Sequence, residues 1–588
     1  MIKNSKLLTF ILFSFSTFLS AQNSGEPNQL DNNSEEKKKT VVSTILPKEY
    51  KSPLKENMDQ EYLRSIFVSP DQMGNVRKSN LLWLDNLKIG FHVRPRYESR
   101  QNFDFNKRTD DYTSFTGQNT QVWFIVDPSP YFAFKVTIQD ARLWGGSQTP
   151  GGASQYSQYG LTTNVGQVIN PTSTTVTPYN NRNSTDIREA FVMLKKTDKL
   201  PVSIQIGRQI WAYGDLKLIG PLNWQNTGIS FDGVRVMFDS KYINLHTFGS
   251  VLSEQHDAPA GLTTSNGRTR GNIDDAYFAG TYNTLKLTEL FWIDFYGLGV
   301  FKKWIPGKTP TYDLPNAQLL TEDRLRQRDN LLTGGIRITN RTNNNNLPKG
   351  KSWDWTIESA VQRGTTGESI DASWDRYQIK YENKRIYKEK IEYDSKFFTA
   401  ETGYMFFDRV RFGIGYTYAS GDPNRTDGKS ATWQQLFPQI AGANPYWNIM
   451  TGQSILNGFQ NVKISSARIN IKATSSHTFI LAAYDTLKAK SQDAWYSPVG
   501  VAVDGGSTED RANQRYVYNV DSHLGKRLYY QYDLTWIYNY HDYISIWAGY
   551  SHIQAGDAIK NIRDVKEASR YNFDGTARYM YLLVSVAL

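Results

Sequence analysis

The 588-residue chain carries 67 Lys and Arg against 57 Asp and Glu, a net charge of +10, with 36 Tyr, 29 Phe, 15 Trp and no cysteine. The lack of cysteine excludes disulfides, thiolate metal sites and thiol nucleophiles. Beyond residue 22 no apolar run approaches the ~18 residues that a membrane-spanning helix needs. So many aromatics also exclude a wholly disordered chain.

In chain order, the first segment reads as a secretory signal. Lys3 and Lys6 precede an apolar stretch from Leu7 to Leu19, and Ser20-Ala21 supplies small residues for cleavage near Ala21. Residues 22–84 follow as a polar leader on the periplasmic side, largely disordered, with mixed charge and no apolar period up to about residue 60. From 85 to 588 the texture is uniform: short segments of alternating polarity between turns rich in Gly, Asn, Asp and Pro. In FAFKVTIQ, Phe132, Phe134, Val136 and Ile138 share one face, and Ala133, Lys135, Thr137 and Gln139 the other. VSIQIG, VRFGIGYTYA and ARINIK alternate in the same way, as do the last residues up to Leu588.

Alternation with period 2 suits a wall with lipid on one side and water on the other. Soluble sandwiches and propellers also alternate, but neither a Cys…Trp…Cys pattern nor a blade-length repeat occurs. Trp123, Trp144, Trp211, Trp292, Trp536 and Trp547 are expected near strand ends, as an interfacial belt requires. The expected fold is all-β: a single antiparallel transmembrane β-barrel of about 18 strands, with 16 to 20 admissible, carrying long extracellular loops. Three loops stand out as candidate gates. Residues 143–181 hold no charged side chain, 420–462 carry Trp433, Phe437 and Trp447, and 301–332 are basic.

Enzyme motifs fail. Gly307-Lys308-Thr309 and Gly428-Lys429-Ser430 lack the first glycine of a phosphate loop, and neither H-E-x-x-H nor G-x-S-x-G occurs. The seven histidines have no ligand spacing, so no transition metal is expected. Asp274-Asp275 offers carboxylates for a loop Ca²⁺, but solvated turn aspartates are far commoner, and no cofactor is expected. An exported chain is not expected to meet nucleic acid.

The informative feature is charge sorted by parity. In FHVRPRYESR, His92, Arg94, Arg96, Glu98 and Arg100 share the face opposite Phe91, Val93 and Tyr97. A lipid-facing Arg or Lys at mid-depth costs ~2–4 kcal/mol, so this face is expected to line the lumen. The same reasoning turns Lys135, Arg235, Arg337, Arg411, Arg468 and Lys472 inward, with Asp294 and Glu358 among the inward acids. Such arginines fit a ladder for a polyanion or organic acid, or else pair with the acids simply to hold the wall.

Residues 205–236, QIGRQIWAYGDLKLIGPLNWQNTGISFDGVRV, resemble the signature of the alginate-export family of outer-membrane barrels. The matching positions are Gly207, Arg208, Gln209, Tyr213, Gly214, Asp215, Leu218, Ile219, Gly220, Trp224, Asn226, Phe231, Asp232, Gly233 and Arg235. RPRYESR, Arg188-Glu189-Ala190, residues 418–438 and residues 533–559 match further family segments in order. Lys217 and Ile229 stand where the family commonly has Arg. The resemblance implies passage of an acidic polysaccharide through an Arg-lined pore, and it adds Arg208 and Asp232 to the expected lining. It also implies an outer-membrane location in a Gram-negative-type bacterium, partnership with the lipid bilayer and the outer-membrane assembly machinery, and a periplasmic export partner. The alternatives are a porin for small organic anions and a surface adhesin that uses the barrel as an anchor.

Overall fold

The computed structural model describes residues 83–84, 87–107, 112–144, 184–197, 201–224, 226–253, 276–302, 329–342, 347–348, 350–370, 389–423, 429–439, 452–496, 498, 525–541, 543–566 and 573–587. The signal segment, the leader up to residue 82, Trp447, Asp274-Asp275, most of the neutral loop 143–181 and most of the basic loop 301–332 lie outside them.

The strands in chain order are β1 (Trp83–Leu84), β2 (Leu87–Gln101), β3 (Thr113–Val126), β4 (Phe132–Leu143), β5 (Ser184–Leu194), β6 (Ser203–Gln209) and β7 (Phe231–Asp239). Next come β8 (Ile243–Ser253), β9 (Ala276–Thr288), β10 (Phe291–Lys302), β11 (Asp329–Thr339), β12 (Trp353–Ile370), β13 (Glu389–Phe406) and β14 (Val410–Ala419). The series ends with β15 (Lys429–Ser430), β16 (Val462–Lys472), β17 (His477–Lys488), β18 (Arg527–His541), β19 (Ile544–Ala555) and β20 (Thr576–Ala587). Among the described residues a helix, α1 (Asp557–Lys566), precedes β20.

Each long strand pairs antiparallel with the next, and β14 pairs directly with β16. Last meets first: β20 pairs with β2 from His92↔Ala587 to Gln101↔Arg578. The two-residue β15 only lies parallel against β13, and β1 only extends the start of β2. Eighteen strands therefore close the wall, and no edge is left open. Consecutive strands are joined alternately by short turns, such as 240–242, 289–290 and 407–409, and by long connections, such as 210–230 and 420–461. The long connections lie at one end, the extracellular end of such barrels.

Alternation is realised residue by residue. On β14, Phe412, Ile414 and Tyr416 are exposed on the outer face while Arg411 is buried. On β11, Ile336 faces out and Arg337 in. An outside that is exposed and apolar in a chain of this kind faces hydrocarbon. Trp144 is exposed, but Trp123 and Trp211 are buried on the inner side and Trp547 packs against the apolar cluster inside the barrel, so these three do not belong to an interfacial belt. Their place follows from packing: Trp123 fills the space that Gly90 leaves on β2, where any Cβ would overlap the indole.

Candidate functional site in the barrel lumen

The lumen is not an empty tube. Connection 210–230, between β6 and β7, is rich in apolar side chains, and Trp211, Leu218, Ile219, Leu222, Trp224 and Ile229 are all buried. They pack with wall residues Phe231, Phe248, Phe278 and Tyr282 and with Trp433, Phe437 and Phe459 of connection 420–461. Two extracellular connections thus fold into the barrel and meet there. The Gly220 amide donates to the Phe437 carbonyl at 2.7 Å, Phe437 to Leu218 at 2.9 Å, and Gln439 to Leu216 at 2.8 Å. The tight turn that aims the first loop needs Gly214, at φ +55°, because a side chain there would strike the Tyr282 hydroxyl.

The inner wall falls into two electrically different halves. On β10–β14, cations and carboxylates form a continuous chain. Arg337 bonds Asp294 at 2.7 Å and Asp215 at 2.5 Å. Arg341 reaches Asp354 at 3.0 Å, Glu401 at 3.1 Å and Asp215 at 3.6 Å. Arg411 holds both oxygens of Asp354 at 2.8 Å, and Lys217 holds Glu401 at 2.5 Å. Asp215 and Lys217 belong to the in-folded loop, so this chain fastens the loop to the wall. Burial alone would raise the pKa of Asp215, but Arg337, Arg341 and Lys217 outweigh it and hold the carboxyl below its ordinary range.

The other half, β2–β5, carries Lys88, Arg94, Arg96, Arg100, Lys135 and Arg188 buried, with only Glu98 and Glu189 as buried acids among the described residues of these strands. Glu98 takes bonds from Arg96 at 2.6 Å and Arg100 at 3.1 Å, and Lys135 lies 2.6 Å from Glu189. Arg94 and Arg96 donate to the main-chain carbonyls of Asn223 and Trp224, and the Arg96 guanidinium sits 4.4 Å above the Trp224 ring. Arg188 donates to the Pro221 carbonyl at 3.0 Å and the Ser230 hydroxyl at 3.1 Å.

Among the other residues expected inside, Arg235 is buried and donates to Gln205 at 2.9 Å, and Arg468 is buried and donates to Asn470 at 3.0 Å. Lys472 is half-buried, at the short-turn end of β16. Arg208 and Asp232 are placed differently. They face each other across β6 and β7, on the outward side that carries Ile206 and Val234, where Arg208 lies 3.6 Å from Asp232 and 3.8 Å from Asp186. Near the extracellular rim a charged triplet tolerates the outer face because water reaches it. These two residues therefore do not line the lumen.

Sequence reasoning missed Arg341, Asp354, Glu401 and the lumenal role of Asp215 and Lys217. Parity along WDWTIES would have turned Asp354 inward together with Glu358. Arg341 lies in a turn, where parity says nothing.

The sequence profile of a family described as alginate export matches residues 85–249 and 307–573. The chain belongs to that family. No curated protein matches. Similar solved structures come from Pseudomonas aeruginosa. OccK11 (OpdR) is 10% identical, with a TM-score of 0.44 over 85% of this chain and 96% of that one. OpdK, solved with vanillate, is 10% identical at 0.46 over 86% and 100%. OccK2 (OpdF), in complex with glucuronate, is 9% identical at 0.44 over 86% and 99%. As an alginate-export family member with a closed, apolar-faced barrel, the protein is an outer-membrane channel.

Proposed function

We propose that the channel passes an anionic solute, most concretely an acidic, alginate-like polysaccharide. The observation that carries this reading is the lopsided charge of the β2–β5 wall, where six buried cations meet two buried acids among the described residues. Buried side chains throughout the described residues lean the same way, with fourteen Lys and Arg against ten Asp and Glu. Inside low-dielectric walls a surplus of fixed positive charge raises the local concentration of anions. Guanidinium groups fork onto carboxylates, whereas the acids among them keep binding weak enough for release. The ion-pair chain on β10–β14 has a different task. Its arginines are committed to fixed carboxylates and hold the loop.

A second reading, diffusion of small organic anions, is favoured by one observation: the two in-folded connections hydrogen-bond to each other inside the lumen and narrow it. Planar-bilayer recording separates the two. With the protein in a salt gradient, the reversal potential should show preference for anions. A decamer of galacturonate should then reduce the current at concentrations where a neutral maltodextrin of equal length does not. Preference for cations would overturn both readings, and an equal effect of the two sugars would leave only the small-solute reading.

A further inference from the structure

The outer face of the barrel changes character near its extracellular rim. Lower on the wall it is apolar, with Val361 on β12, Phe398 on β13, Ile414 on β14, Leu481 on β17 and Leu582 on β20 exposed. Closer to the long connections the same face carries Arg363 on β12, Lys396 on β13, Lys463 on β16, Arg527 on β18 and Arg578 on β20. Register fixes their side: Lys396 stands opposite Val361, Lys463 opposite Tyr418, and Arg578 lies two residues from the exposed Met580. The outward acids on these strands are Glu392, Asp394 and Asp485. Asp394 lies 2.5 Å from Arg363 and 3.8 Å from Lys429, and Asp485 lies 3.1 Å from Arg527. Lys396, Lys463 and Arg578 have no carboxylate within ion-pair distance among the described residues. Elsewhere the rim is balanced: on β4–β7, Arg142 and Arg208 meet Asp140, Asp186 and Asp232.

We infer that the outer rim of β12–β20 docks a lipid of the outer leaflet whose headgroup carries phosphate. Its acyl chains lie along the apolar wall, and its phosphate meets Lys396, Lys463 and Arg578. Neighbouring strands lie ~4.8 Å apart, so cations on alternate strands recur about every 10 Å around the rim. Like charges at that spacing, close to the Debye length of about 8 Å, draw anions rather than one another. Two observations commit the surface to a lipid. The cations leave the barrel sideways, on the face opposite the lumen, where hydrocarbon gives way to headgroups. Exposed apolar side chains continue directly below them, and a soluble anion would leave that surface unused. Tyrosine rings support the charged groups at this level, as snorkelling at an interface requires. The Lys463 ammonium lies 5.8 Å from the Tyr418 ring, and the Arg527 guanidinium lies 4.8 Å from the Tyr530 ring. Ammonium and guanidinium groups form charge-assisted hydrogen bonds to phosphate oxygens, and attraction to an anionic membrane surface grows with each basic group. The shell of lipid around the barrel is therefore lopsided, with phosphorylated lipid held on β12–β20 and no such preference on β4–β7.

The test uses the full chain, purified and delipidated in a non-ionic detergent, with diphosphoryl lipid A as the probe and native mass spectrometry to count bound lipid. The native protein should bind this lipid at concentrations about tenfold lower than the same lipid stripped of its phosphates, and concentrated salt should narrow the gap. Equal binding of the two forms would overturn the inference without recourse to any variant. Lys396→Gln, Lys463→Gln and Arg578→Gln together should bring the two lipids to within roughly threefold of each other. Arg142→Gln with Arg208→Gln, on the balanced part of the rim, should leave the preference as it is. The three substituted side chains of the first variant are exposed or half-buried, so it should keep the native barrel's resistance to heat in detergent. A folded triple variant with the native preference, or an equal loss in the Arg142 and Arg208 variant, would overturn the assignment to β12–β20. Inorganic phosphate or decagalacturonate, added at the lipid's own concentration, should not displace it. Displacement by the first would make the rim a site for free anions, and displacement by the second a surface for the polymer; either would overturn the lipid reading. The anion-channel reading is decided separately by bilayer recording and stands or falls without this result.

Discussion

Replacing Arg341 by Met tests how the lumen is held together. The guanidinium is completely buried and touches Asp354, Glu401 and Asp215 at 3.0, 3.1 and 3.6 Å. Each of these carboxylates has a second cation: Arg411 for Asp354, Lys217 for Glu401 and Arg337 for Asp215. With Asp294, also on Arg337, the ion-paired chain holds four cations and four carboxylates. Arg341→Met leaves three cations and four carboxylates, hence one buried charge without compensation. Stranding one charge in this way costs about 3–5 kcal/mol, and the remaining second partners favour the lower figure. Adding Glu401→Gln restores three against three, so the double variant should recover at least half of the loss. The measurement is urea unfolding of the barrel in lipid vesicles followed by tryptophan fluorescence, with free energies from linear extrapolation. A single variant within about 1 kcal/mol of the native protein would refute the account, because a solvated surface pair costs that little. A double variant with fully additive losses would refute it as well.

Further outcomes follow from the same geometry. Replacing Arg94, Arg96, Arg100 and Lys135 together by Gln should move the reversal potential in a salt gradient toward cations. The shift should shrink in concentrated salt, since the Debye length is about 8 Å at physiological ionic strength; a stable variant with unaltered selectivity would count against the charged-wall reading. Phe437→Ala removes the ring that meets Phe231 edge-on at 5.1 Å and Phe278 at 4.7 Å. It should cost about 3–5 kcal/mol by cavity formation and raise single-channel conductance by loosening the meeting of the two loops. Ile336→Lys places an ammonium on the exposed outer face of β11. It should lower stability in vesicles by roughly 2–4 kcal/mol, and a variant as stable as the native protein would undo the assignment of faces. Deleting most of 143–181 should leave assembly intact and increase conductance if that neutral loop covers the mouth, as resistance to unfolding by heat and bilayer recording would show.

The wall was legible in the sequence because its physics is local. On β2 and β14 the side that carries Arg and Lys is the buried side, as it is for Lys135 on β4 and Arg468 on β16, since one residue of slip would put these charges into lipid; Arg142 and Lys463 take the outer side only beside the strand ends. Arg208 and Asp232 were misplaced because they came from the family signature and not from parity; counted from Ile206 and Val234, both fall on the outer face. The larger miss was the lumen's filling. Residues 210–230 read as turns between two strands, yet their Trp, Leu and Ile side chains are as apolar as any core. Their destination depends on Phe437, more than 200 residues away, and on Arg337 and Glu401 across the barrel. No local pattern encodes a partner that only closure of the sheet brings near. The same holds for the balance between pairing and ladder: composition gave the excess of cations, but only the folded wall separates the committed arginines of β10–β14 from those of β2.

The seam between β2 and β20 governs when a pore can exist at all. Elsewhere the wall joins neighbours along the chain, and hairpins can zip from any turn. The seam joins His92 to Ser585, 493 residues apart, and brings Tyr579 onto Glu98 at 3.0 Å. Closing a loop of that length costs about 5–6 kcal/mol in chain entropy, set against backbone bonds that no shorter contact can substitute. Until it closes, β2 and β20 are raw edges and β2–β5 face no enclosed volume. The basic wall thus becomes an inside only in the last act of assembly, so an unfinished barrel has no selective conduit through which the membrane could leak.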